Sequence, residues 1–291
     1  VRTVVALLLV LLASPALAQD YPPELPPLVP PPVMTPFGFE MEELDAVPPL
    51  EADGEPVTID FLCARLVGAS DVCAAGMQRL QATLNNSGLG HITARLLGTM
   101  QSTYANSGDS AVDLARVKSQ LDTYANDITD EAVRIGADCI VAITPIKDSC
   151  GIAYVTANVL SCVAVVSHGC ISNSSFEHEV GHNAGLAHDQ PNASNGGYGG
   201  TSYGWCPVVP ETGLRCGHKD VMTYPSPCGG SRVARYSNPA QACPTHGTTP
   251  FGSSTANGTA AWRARAATMA AFRQPTEAPA APGKPVPTLE D

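Results

Sequence analysis

Three of the chain's seven histidines, His178, His182 and His188, fall within eleven positions of the stretch FEHEVGHNAGLAHD, together with Glu179 and Gly185. Residues four apart on a helix stand on one face a turn apart, so His178 and His182 can reach one ion. Gly185 is suited to end that helix through a left-handed turn, which brings His188 back as a third ligand. Three imidazoles with one position left open make a catalytic zinc geometry rather than a structural one. Zinc acidifies water and polarises a carbonyl, while Glu179, beside the first ligand, takes the proton and passes it to a leaving amine. The predicted chemistry is amide hydrolysis.

A cluster of this kind needs a rigid frame, and the chain before it alternates between strand-like and helix-like stretches. VTIDFLC (57–63) reads as a strand, and DVCAAGMQRLQATLNNSG as a helix stopped by Ser-Gly. HITARLLGTM (91–100) is a second strand, followed by one long helical pattern from Ser110 to Gly136. The apolar run ADCIVAIT (137–144) suits a buried parallel strand, and GIAYVTA and LSCVAVVS supply two more. A βαβαβ opening with two further strands predicts an α/β fold, a largely parallel sheet with helices packed on it. The zinc-motif helix is expected to begin near Ser174 or Ser175.

The string H-E-x-x-H-x-x-G-x-x-H-D, followed by DVMTYPSPC, resembles the extended signature and Met-turn of the metzincin metallopeptidases. CGIAYV (150–155), YGWC (203–206), VMTYP and RYSNP (235–239) make the chain similar to secreted bacterial reprolysin-like and peptidyl-Asp metalloendopeptidases. The resemblance spans roughly residues 57–273. It implies a five-stranded, mostly parallel twisted sheet with one antiparallel edge strand, an active-site helix and a Met-turn subdomain. Met222 becomes the hydrophobic floor under zinc. Tyr224 ligates zinc or stabilises the oxyanion, as in astacin- and serralysin-like members, and Asp189 braces the fold, as in reprolysin-like ones. Gly151, Ile152, Ala153 and Tyr154 become the edge along which an extended protein or peptide substrate adds as a further strand. The chain after the Met-turn would wall the pocket for the residue following the scissile bond. There Arg232 and Arg235, with Lys219 as the next candidate, could grip a carboxylate. The alternative is an inactive secreted binding module on a metzincin scaffold, which loss of Glu179 or a ligand would have supported; neither is lost.

Composition bounds the setting. Residues 1–18, VRTVVALLLVLLASPALA, have the charge, apolar run and small-residue end of a secretory signal peptide. Export accounts for ten cysteines as disulfides, with Cys63/Cys73 and Cys206/Cys216 as plausible local staples. The net charge is −11, but residues 19–56 hold nine Asp/Glu and no Lys or Arg; setting these and Arg2 aside leaves −3. That balance offers no basic surface for nucleic acid, and no later segment is apolar enough to span a membrane. A secreted monomer is expected. The domains then read as signal (1–18), acidic Pro-rich pro-segment or linker (19–56), peptidase (57–273) and Pro/Ala-rich tail (274–291). The pro-segment has no cysteine, which excludes a cysteine-switch latency. His91, His168, His218 and His246 lack ligand spacing, and the loop 189–204 suits a surface loop better than a Ca2+ site.

Overall fold

The strand Cys139–Thr144 (CIVAIT) and the strand Val163–Ser167 (VAVVS) are buried at every residue, the pattern of parallel strands covered on both faces. In the computed structural model, which describes residues 54–119, 123–208, 213 and 216–274, they are β3 and β5 of one five-stranded sheet. Its other strands are β1 (Val57–Val67), β2 (Ile92–Ala105) and β4 (Gly151–Ala153), and the order is β2-β1-β3-β5-β4. All neighbours are parallel except β4, which runs antiparallel to β5 at one edge.

Side chains alternate along a strand, so β1 serves two cores. Ile59, Phe61 and Cys63 face α1 (Cys73–Asn86), α4 (Ser175–Asn183) and α6 (Gly258–Met269), meeting Leu80, Phe176, Val180 and Trp262. Leu62, Ala64 and Leu66 face α2 (Ser110–Lys118) and α3 (Asn126–Ile135), meeting Leu114, Val117 and Ile128. On the first face α1 crosses α4 closely. A Cβ on Gly76 would lie 2.2 Å from the buried Phe176 ring, so only glycine permits that approach.

Beyond α4 the chain builds a smaller lower part. It contains the paired dipeptides β6 (His218–Lys219) and β7 (Ser231–Arg232), with the single turn α5 (Pro225–Cys228) between them. The hairpin of β8 (Asn238–Cys243) and β9 (His246–Phe251) precedes α6. Its core cluster is small: Cys216, Cys243 and Phe251. Disulfides reinforce it, Cys206–Cys228 and Cys216–Cys243, while Cys63–Cys73, Cys139–Cys162 and Cys150–Cys170 staple the sheet side. Among the described residues no helix is long and apolar enough to cross a membrane.

The fold matches the expected class, and Gly136 ends α3 in the left-handed conformation expected of a helix stop. Four details differ. The long helix expected over 110–136 is two helices, α2 and α3. Ser119 is extended, and Asp127 opens α3 by accepting from Ser102 Oγ and Thr103 N of β2. Ser119 and Thr123 stand between the two helices, and such residues favour bonds to nearby backbone over continuing a helix. GIAYVTA yields a strand of only three residues. Cys206 pairs with Cys228, at the end of α5, and Cys216 with Cys243, at the end of β8, not with each other. The β8–β9 hairpin was not foreseen. The expected signal peptide, most of the acidic segment and nearly all of the tail lie outside the described residues.

Candidate metal centre

The helix that carries His178 and His182, α4, is held at both ends. Its N-cap, Ser174, takes a left-handed conformation (φ 75°), and its hydroxyl accepts from Arg79 Nη2 of α1 at 2.8 Å. The same guanidinium lies 2.9 Å from the carboxylate of Glu177, which is fully buried. Tyr236, from the RYSNP stretch, donates to Glu177 O at 2.7 Å. At the C-terminal end the helix stops at Asn183, and Gly185 (φ 104°) turns the chain as expected.

His178, His182 and His188 come together, each under a tenth exposed. His178 Nδ1 lies 2.7 Å from Val221 O, and His182 Nδ1 lies 2.8 Å from Leu186 O. A ring nitrogen against a carbonyl must be the protonated one, which leaves Nε2 of each ring as a lone pair. Those Nε2 atoms converge: His188 Nε2 is 3.2 Å from His178 Nε2 and 3.0 Å from His182 Nε2. Burial lowers all three side chains' affinity for a proton, His182 to about 4 and His188 to about 3, with His178 also well below its usual value. Neutral, convergent lone pairs suit a cation. Three nitrogens at 2.0–2.1 Å from a tetrahedral zinc would stand roughly 3.3 Å apart, close to the spacing seen. The donor set therefore fits zinc. Among the described residues this trio is the one group of three or more His, Cys, Asp or Glu side chains able to hold an ion.

The remaining expected residues fall around the trio. Glu179 is 2 % exposed and packs on the edge strand: a Cβ on Gly151 would come within 2.6 Å of Glu179 Cγ. Met222 is fully buried below α4, its sulfur 2.8 Å from where a Cβ on Gly181 would sit. The Tyr224 ring lies 4.3 Å from that of His188, and its buried hydroxyl has no hydrogen-bond partner. Asp189 accepts from Tyr224 N at 3.0 Å and from Asn192 Nδ2 at 2.9 Å, tying the third histidine's strand to the Met-turn. Ile152 and Ala153 are buried with Gly151 in β4, and Tyr154 follows at its end with Lys118 Nζ 4.7 Å above its ring.

The two arginines separate. Arg232 Nη1 donates to Asn173 O and Nη2 to Thr223 O, both at 3.0 Å, and its charge contributes to the lowered proton affinity of His178 and His188. Arg235 Nη1 is turned to Ala242 O of β8, 3.3 Å away, and makes no described contact with the histidines. Lys219 is also committed, with Nζ donating to Gly229 O and Gly230 O.

Sequence reasoning missed several supports. Gly181, inside the motif, lets Met222 press on the helix; a mid-helix glycine costs about 1 kcal/mol against alanine, a signal that it has a packing reason. Asp220 is fully buried and accepts from Met222 N, Thr223 Oγ1 and Ser237 N, and burial pushes its carboxyl up to about 7. The Arg79–Glu177 pair and Asn183 carried no signal short of the tertiary structure.

The structure thus sets a mixed sheet over a buried three-histidine cluster and a buried methionine turn. Residues 76–189 match the model of a family described as metallo-peptidase family M12B, reprolysin-like. Two curated relatives, peptidyl-Asp metalloendopeptidases of Stenotrophomonas maltophilia strains R551-3 and K279a, are 29% and 28% identical over 65% of this chain. The chain spans less than half of their length, 46%. A solved structure described as a chaperone–substrate complex shares the fold over 76% of this chain and 40% of that one, at 20% identity and a TM-score of 0.56.

Proposed function

We propose that this chain is an exported zinc endopeptidase, with residues 57–273 as its catalytic domain and proteins or peptides as its substrates. The observation that carries the reading is the convergence of three buried, neutral Nε2 lone pairs. His178, His182 and His188 would hold the ion. Zinc, when bound, supplies a Lewis acid that activates water and polarises the scissile carbonyl. Glu179 takes the proton from the attacking water as the carbon–oxygen bond forms, then gives it to the amine as the carbon–nitrogen bond breaks. Tyr224, whose hydroxyl is buried without a partner, donates to the developing oxyanion. The five disulfides agree with an oxidising compartment.

An acidic residue after the scissile bond is the preferred substrate feature in this reading. Two findings support it: Arg232 brings a positive charge to the histidine cluster, and the curated relatives are described as peptidyl-Asp enzymes. Incubation with casein and with a mixed peptide library, with and without a chelator, tests the assignment. Glu179→Gln should retain zinc and the fold while losing turnover by about a hundredfold or more, the usual size of a general base's contribution. Undiminished hydrolysis by that variant would sink the reading.

A further inference from the structure

The β4–β5 ladder ends abruptly, and a single side chain ends it. Ser167 N donates to Cys150 O at 3.0 Å, so residues 150 and 167 form a hydrogen-bonded pair. Antiparallel pairs alternate between bonded and non-bonded, which makes Ile152 and Val165 bonded partners. The N–H and C=O of Gly151 and Ala153 then point away from β5, and neither residue has a described hydrogen bond on that side. The next bonded pair should be Tyr154 with Val163. Instead the Asn183 amide enters between them: its Nδ2 donates to Tyr154 O at 3.0 Å and to Val163 O at 3.2 Å. Val163 N is turned to Ser161 O.

Asn183 is the residue after the ligand His182 and is 1 % exposed. Two more bonds fix the same hairpin to the end of α4, Thr156 N to His182 O at 2.9 Å and Ala157 N to Asn183 O at 3.0 Å. Thr156 takes φ 58°, a conformation costly for a β-branched residue that persists only where its surroundings impose it. Arg265 of α6 holds Ala157 O from the other side. The end of the metal helix and the end of the edge strand are thus one hydrogen-bonded unit.

We propose that Asn183 is a positioning residue for substrate: it ends β4 at Ala153 and fixes the height of the Gly151–Ala153 edge relative to the histidine cluster. This rests on the peptidase reading and on an extended substrate pairing with that edge. Removing the amide leaves the half-buried Tyr154 O and the buried Val163 O without their donor and frees β4 to zip on to Tyr154 or lift from α4. Long peptides, which need the edge, would lose binding. Peptides that cover little more than the scissile bond would not.

The test compares Asn183→Ala, and Asn183→Asp as a second variant of near-native volume, with the wild type. Each is assayed for zinc content, for backbone amide exchange over 151–163, and for KM and kcat on a short and an eight-residue peptide sharing one cleavage site. The expected result is bound zinc at the wild-type level and faster exchange over 151–157. KM should rise about tenfold or more for the long peptide, the loss of roughly two net hydrogen bonds, and change little for the short one. Equal losses on both peptides, or exchange unchanged over the hairpin, overturn the proposal and leave the peptidase reading intact. Cleavage of neither peptide by the wild type overturns both.

Discussion

At the scale of single residues, the centre depends on which nitrogen each imidazole offers. Val221 O and Leu186 O hold two Nδ1 atoms, so the ligand atoms are set by backbone carbonyls that no side-chain substitution removes directly. The proposed selection of an acidic residue would rest instead on Arg232, which donates from β7 to Asn173 O and Thr223 O. Replacing it by Gln keeps donors but removes the charge. Any enrichment for Asp or Glu after the cut should then fall by about tenfold or more, the difference between a charge-assisted and a neutral hydrogen bond. A cleavage profile on the peptide library reads this directly, and enrichment that survives Arg232→Gln assigns the carboxylate to another group.

At the scale of elements, two glycines set how closely α4 is packed. A Cβ on Gly76 would run into the ring of Phe176, and one on Gly181 would lie 2.8 Å from Met222 Sδ. Adding a methyl to either overpacks the core, at a cost of about 1–3 kcal/mol. A buried ring cannot yield as an unbranched thioether can, so Gly76→Ala should lower Tm more than Gly181→Ala. The reverse order in thermal melts contradicts this packing. The Met-turn has its own sensitivity. Burial raises the folded pKa of Asp220 from its ordinary 3.8 to about 7. A raised folded pKa means that the native state binds the proton more tightly, so the associated stability is complete below about pH 4 and lost as pH rises through 7. Between pH 5 and 8 the wild type should therefore lose stability relative to Asp220→Asn, whose amide does not titrate. Denaturant midpoints of the two proteins across that range give the difference, and parallel curves refute it.

At the scale of the whole molecule, the upper sheet has two large apolar cores while the lower part has the cluster of Cys216, Cys243 and Phe251. Its two disulfides supply what that core cannot. The acidic stretch 19–56 carries nine carboxylates and no Lys or Arg, while Arg232 brings a positive charge to the histidine cluster. If it remains attached, it should slow the enzyme by occupying the cleft. Removing it should raise activity at low salt, and the gap should close at high salt as charges are screened. Equal activity of both forms at low salt makes the segment a linker.

The amino-acid sequence alone determined the pattern of the centre: the histidine spacing, Glu179 beside His178, Gly185 at the helix end and the methionine turn are local patterns, legible because helix geometry converts spacing into proximity. It also determined the sheet class, since the buried runs at 139–144 and 163–167 read the same way in sequence and in space. Only the tertiary structure decided which cysteines pair, because Cys216 and Cys243 meet through a fold that spacing does not encode. It also decided that the charge of Arg232 acts on His178 and His188 while Arg235 turns to Ala242 O, since neighbouring arginines in the chain can face opposite ways. And it decided that β4 stops after three residues, because the interruption comes from Asn183, thirty positions further along the chain, whose amide reaches the strand only once α4 has packed against it.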